Sequence, residues 1–174
     1  MRLLVCTLLF LMNLSIIHSQ ELTSIDRNGF SIKFPNSWEE KKVPDYLIYI
    51  MESDKKSSDF STTIGIQETK EDETLEVFSK QYEIDLSNHK KYKDFKIKVR
   101  RELMYGNRKA IRYFCTATVS HIPVEIMAIA IQNKGKIILV TTTAYWLKPS
   151  SETGIFLQLL KKTEKILNSI EIEQ

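Results

Sequence analysis

The sequence predicts an α+β protein built as a helix/antiparallel sheet/helix sandwich, with a four-stranded meander in its C-terminal half. Three observations predict it. Four strand-like runs between Phe95 and Trp146 are joined by tight turns, and tight turns between successive strands make antiparallel hairpins. The inner runs are apolar on both alternations, so both sheet faces are covered. Two segments with apolar residues at three- and four-residue spacing are available as the covers.

The chain opens with Met1-Arg2 and the uncharged run LLVCTLLFLMNLSII, Leu3 to Ile17, followed by HSQE. This is the layout of a secretory signal peptide, and the run is short for a spanning helix, which needs about 20 apolar residues. Cleavage after Ser19 is expected. It divides the chain into a signal peptide, residues 1–19, and a single domain, residues 20–174. The product is then exported, either periplasmic or secreted.

ELTSIDRNGFSIKF reads as two strands about Asn28-Gly29, a favoured hairpin turn. Pro35 lacks an N–H and cannot continue a central ladder. Trp38 reads as a packing residue at the core's edge. Tyr46 to Glu52 and Phe60 to Glu68 are further strands. In KEDET the charges suit a helix start, and the helix is expected from Thr74 to His89. Leu75, Phe78, Tyr82 and Leu86 form its apolar stripe.

The meander strands turn at Gly106-Asn107, Ser120-His121 and Lys134-Gly135. Two-residue turns put Phe95, Ile97, Val99, Phe114, Met127, Ile129, Ile131, Ile138 and Val140 on one bulky face. Cys115, Ala117, Ala128, Ala130, Thr141 and Thr143 fall on a small one. A helix can approach the small face closely. The closing helix, following Pro149 with Ser150 or Ser151 as its cap, is expected there. It presents Phe156, Leu159, Leu160, Thr163, Ile166, Leu167 and Ile170. The helix from Thr74 is then left for the bulky face.

The 174 residues are 43% hydrophobic and 27% charged, an ordinary balance that suits one domain. Net charge is +3, or +2 without Arg2, too small to argue for nucleic acid. Cys6 leaves with the signal. Cys115, in the alternating run RYFCTATV, reads as a small buried hydrophobe.

The order of elements and the pieces FSIKFPNSW, GNRKAIRYFCTATVSHIPVEIMAIAI and the terminal ILNSIEI resemble the PsbP-like family, over about Gly29 to Ile172. That fold is shared by photosystem II extrinsic proteins and small bacterial exported proteins. The resemblance implies a binding or assembly protein without shared catalytic residues, so it carries over no site residues. Chaperones of this fold act in the cytoplasm, and the signal peptide departs from that pattern.

No G-x-S-x-G elbow, Gly-rich phosphate loop, calcium loop or His pair with ligand spacing occurs. Catalytic residues, metal and cofactor are therefore not expected. Two features stand out. Lys96, Lys98 and Arg100 alternate with apolar residues, which sends the cations to one face and makes a candidate surface for an anionic partner. Its bland counterpart is a solvated edge strand, where Lys discourages aggregation. Glu125 interrupts the apolar IPVEIMAIAI as a candidate buried carboxylate. The leading expectation is an exported, non-catalytic module with a protein partner in the cell envelope or outside the cell. The alternatives are an exported hydrolase with a dispersed site around Glu125, Tyr113 or His121, and a peripheral protein in weak contact with anionic lipid through Lys96, Lys98 and Arg100.

Overall fold

The computed structural model describes residues 21–53, 60–69, 73–146 and 155–173. The signal segment and the Ser150 and Ser151 cap lie outside the described residues.

Strands β1 (Leu22–Arg27) and β2 (Phe30–Pro35) form the expected hairpin. Asn28 and Gly29 both take positive φ, 53° and 79°, the primed turn that matches strand twist. Pro35 is the last residue of β2. Trp38 opens β3 (Trp38–Glu40) and is 5% exposed, so it is core scaffolding. β4 (Ile48–Glu52) and β5 (Phe60–Glu68) precede α1 (Leu75–Asn88), and the four meander strands follow. These are β6 (Lys93–Tyr105), β7 (Arg108–Val119), β8 (Ile122–Asn133) and β9 (Lys136–Trp146). The three turns fall between them as expected.

α2 (Ile155–Asn168) closes the chain, but it stops before the run ILNSIEI ends. Glu171–Ile172 instead form β10, antiparallel to β2 at Ser31 and Phe30. Ser169 makes the transition. Its hydroxyl accepts from the Lys33 N–H at 2.8 Å and lies 2.9 Å from the Lys33 carbonyl. A side chain so tied to β2 stabilises strand geometry over another helical turn.

β1-β2-β10 is one small sheet. The other has seven antiparallel strands in the order β3-β4-β5-β9-β8-β7-β6. β5 thus pairs with the last meander strand, from Phe60–Trp146 to Glu68–Ile138. The expected meander occupies one half of this sheet, and β6 forms an outer edge.

Two clusters make up the core. On one face Met127, Ile129, Ile131, Ile138 and Val140 meet Phe30, Ile32 and Phe34 of β2 and Ile166, Leu167 and Ile170 of the closing segment. Each such buried side chain contributes about 1.5–3 kcal/mol. On the other, Cys115, Ala128 and Ala130 meet Leu75, Phe78, Tyr82 and Leu86 of α1. The two helices are therefore exchanged relative to the expectation. The reason is volume. The α1 stripe carries aromatic rings, Phe78 stacked on Tyr82 at 5.6 Å and Tyr82 against Tyr113 at 5.4 Å, and rings need the room that alanines and a cysteine leave.

A second correction concerns β6. Register shifts occur between Lys93 and Lys96 and between Ile97 and Val99. A bulge adds a residue and reverses the inward alternation beyond it. Phe95 and Ile97 accordingly join the α1-side cluster, and Val99, opposite Phe114, lies on the other face at 48% exposure. Asp94, at φ 54°, is the left-handed residue within the first shift.

Candidate functional site

α1 is pinned at its start. Thr74 accepts from the Val77 N–H at 3.3 Å, and Gln132 of β8 accepts from the Leu75 N–H at 2.8 Å while donating to the Glu73 carbonyl at 3.0 Å. With the apolar stripe held on the sheet, the neighbouring polar side of the helix faces β6. Between them is a cleft of about 970 Å³. Glu76, Ser79, Lys80 and Glu83 line it from the helix, Arg100, Glu102 and Met104 from β6, and Lys109 and Ile111 from β7.

Its charges balance, with Lys80, Arg100 and Lys109 set against Glu76, Glu83 and Glu102. Glu83 is the hub. It accepts from Arg100 Nε at 3.0 Å and from the Tyr113 hydroxyl at 3.2 Å. Arg100 also reaches Glu102 at 3.5 Å, and Lys80 reaches Glu76 at 2.9 Å. Burial opposes the charge on Arg100, but hydrogen bonding and charge from Glu83 and Tyr113 hold its pKa above the ordinary value. Burial first, then the Glu83 charge, pushes the Tyr113 phenol up. The Lys80 hydrogen bond holds Glu76 below the usual carboxylate range. Exposed pairs of this kind add little stability, about 0–1 kcal/mol each. Their effect is to orient charged groups at the rim. Lys109 makes no ion pair among the described residues.

The cations proposed from alternation do not share a face. Arg100, opposite Tyr113, enters the cleft on the α1 side, whereas Lys96, opposite Thr116, lies on the other side, and Lys98 sits at the second bulge. All three are exposed. Glu125 pairs in register with Thr116 and Ala144 on the β2 side of the sheet. Its Oε2 is buried without a hydrogen-bond partner among the described residues, as are Thr62 Oγ1, Thr142 Oγ1 and Trp146 Nε1 on the same face. Burial raises the Glu125 carboxyl above the usual range. Tyr113 lies on the opposite face, and His121 is exposed in the β7–β8 turn. Glu125, Tyr113 and His121 are therefore not brought together. Cys115 is fully buried, and burial pushes its thiol up to about 12. Among the described residues no three His, Cys, Asp or Glu side chains are grouped to hold a metal, and no helix is long and apolar enough to cross a membrane.

Glu83 and Lys109 were not singled out from the sequence. Glu83 was legible only as a residue on the polar side of the helix. Its partner Arg100, 17 positions on, needed the tertiary arrangement.

A helix-covered antiparallel sheet with a returning N-terminal hairpin defines the PsbP-like fold, and solved structures agree. The chain is similar to cyanobacterial PsbP (CyanoP) from Synechocystis at 13% identity, TM-score 0.58, covering 91% of this chain and 96% of that one. It is similar to the Ran-binding protein Mog1p of Saccharomyces cerevisiae at 9% identity, TM-score 0.58, covering 88% and 96%. LpqN of Mycobacterium tuberculosis, involved in cell envelope biogenesis, aligns at 12% identity, TM-score 0.56, over 88% and 91%. At these identities the likeness is one of fold. No protein-family model and no curated protein matches the sequence.

Proposed function

We propose that this chain is an exported, non-catalytic binding or assembly module that holds a protein partner at the cleft between α1 and β6. The charge-balanced rim carries the reading. Glu83, itself bonded to Tyr113, holds Arg100 in place in the cleft that Lys109 also lines, and Lys109 makes no ion pair among the described residues. Fixed charges of both signs recognise a partner by complementarity and register. The exposed Met104, at 58%, adds an apolar contact at the same edge. Main-chain pairing along β6 is a poorer mode, because two bulges and flanking lysines guard that edge. Fold analogy supports the class: Mog1p is a Ran-binding protein and LpqN belongs to cell envelope biogenesis.

The test is capture from the native compartment at low salt, with wild type beside Arg100→Glu/Lys109→Glu. A defined partner should appear with wild type and disappear with the reversed charges. Equal recovery by both would refute the site. Mass spectrometry of the product checks export, the expected N-terminus being Gln20.

A second reading rests on Lys96 and Lys98, which form no ion pair among the described residues; both are exposed, and Lys98 adjoins exposed Val99. It makes the chain a peripheral protein on anionic lipid. Vesicle sedimentation decides: equal binding to anionic and neutral vesicles at low salt removes this reading.

A further inference from the structure

α1 packs against β6, β7 and β8. Beside it, the same face of the sheet continues across β9, β5 and β4 with a different surface. Register places Tyr49, Gly65 and Thr141 in one row, Met51, Thr63 and Thr143 in the next, and Ser61 and Tyr145 beyond them. Gly65 and Thr63 are buried at the base of this face, Met51, Thr141 and Thr143 are part-exposed, and the walls are phenolic. Tyr46 lies against Gly65, where an added Cβ would stand 2.2 Å from its Cε1. Tyr46 meets Tyr49 edge to face at 5.1 Å. Tyr92, just past the end of α1, packs against His89 at 4.6 Å and Phe95 at 6.2 Å, and its phenol is pushed up by burial first and then by Tyr145, Tyr46 and Tyr49. All four tyrosines are half-buried.

β4, β5 and β9 place no charged side chain on this face. Among the described residues, Glu39 and Lys41 at the edge neutralise each other at 2.9 Å, and Asp45 precedes Tyr46. In a chain that is 27% charged, an uncharged face spanning three strands selects its ligand. An ion bound there would lose water and gain no counter-charge. A purely apolar ligand would strand the Thr143 and phenol hydroxyls. A sugar satisfies both sets of groups, with its C–H face against a ring and its hydroxyls toward Thr143 and the phenols, Thr141 being hydrogen-bonded to Tyr82. The phenols of Tyr46, Tyr92 and Tyr145 are protonated at neutral pH and able to donate, and burial raises them further.

We infer that this tyrosine-walled face is a binding site for neutral carbohydrate. It lies on the other side of α1 from the cleft above and does not depend on that reading.

The experiment is a titration of the processed chain with maltohexaose, cellohexaose and chitohexaose, followed by saturation-transfer NMR and tyrosine fluorescence. At least one should bind, with transfer strongest to its ring protons and an affinity unchanged between about 20 mM and 0.5 M salt. Tyr145→Ala and Tyr49→Ala should each weaken it about tenfold. Tyr145→Phe, which keeps the ring and the fold, should weaken it less. Lys109→Glu in the opposite cleft should leave it unchanged. No binding by wild type at about 10 mM sugar, a range corresponding to only ~3 kcal/mol of affinity, overturns the inference. So does equal binding by wild type and the three tyrosine variants, or selection of an uncharged peptide over all three sugars. Loss of the protein partner through Arg100→Glu leaves these outcomes untouched, so the two proposals fail separately.

Discussion

Replacing Gly65 by alanine adds one methyl group to the middle of a strand. The new Cβ would stand 2.2 Å from Tyr46 Cε1, 2.6 Å from Cδ1 and 3.3 Å from Cζ. Carbon atoms rest at about 3.5–4.0 Å, so the ring must retreat by more than ~1 Å. Overpacking of this kind costs about 1–3 kcal/mol. The backbone offsets part of it: Gly65 does not occupy the left-handed region, so alanine restricts the unfolded chain and contributes about 0.4–1 kcal/mol. The net expectation is a loss of about 1–2 kcal/mol, or ~2–8 °C in Tm for a domain of this size. Urea denaturation and thermal melts measure it. The decisive version is a double-mutant cycle. In the Tyr46→Ala background the obstacle is gone, and Gly65→Ala should become neutral or stabilising by up to about 1 kcal/mol. A loss in that background as large as in wild type would refute the close approach, and with it the placement of Tyr46 as a wall of the tyrosine-lined face.

Three further outcomes follow from named residues. Glu125 is an acid whose folded pKa is raised by burial from its ordinary 4.5. The folded state then holds the proton longer, so stability falls as pH rises from the unfolded value through the folded one. Glu125→Gln should be more stable relative to wild type at neutral pH, with the advantage vanishing in acid; melts across the pH range test this, and an advantage growing toward acid contradicts it. The Cys115 thiol, fully buried and pushed up to about 12, should resist a thiol reagent at pH 8 in the folded protein and react at once in denaturant, followed by absorbance. Ser120 and His121 hold φ of 49° and 69°, a region costing about 1–2 kcal/mol per ordinary residue. Exchanging them for Asn-Gly, the pair used at residues 28–29, should raise Tm by several degrees, read by calorimetry, with no gain expected only if the turn is not of the primed type.

Much of the architecture was legible because its causes are local. Asn28-Gly29, and the glycine of Lys134-Gly135, announce primed turns through residues that tolerate positive φ. The stripe Leu75, Phe78, Tyr82, Leu86 announces a helix whether or not its partner is known. The candidate sites were less legible. Of the alternating cations only Arg100 reached the cleft, because bulges are set by cross-strand pairing rather than by the residues that carry them. Glu125 was visible as a polar residue in an apolar run, but the threonines and tryptophan sharing its face are recruited from β5 and β9.

By itself, then, the chain's order of residues determined strand and helix periodicity, hairpin connections, the antiparallel meander and the small size of the face around Ala128 and Ala130. Only the tertiary structure decided which helix lies on that face, that β5 pairs with β9, that Ile172 returns to β2, and that Tyr46 comes to rest against Gly65. The physical reason is range. Turn and alternation preferences act over a few neighbouring residues, whereas the fit of ring against alanine, or ring against glycine, depends on volumes that meet only after distant strands have paired.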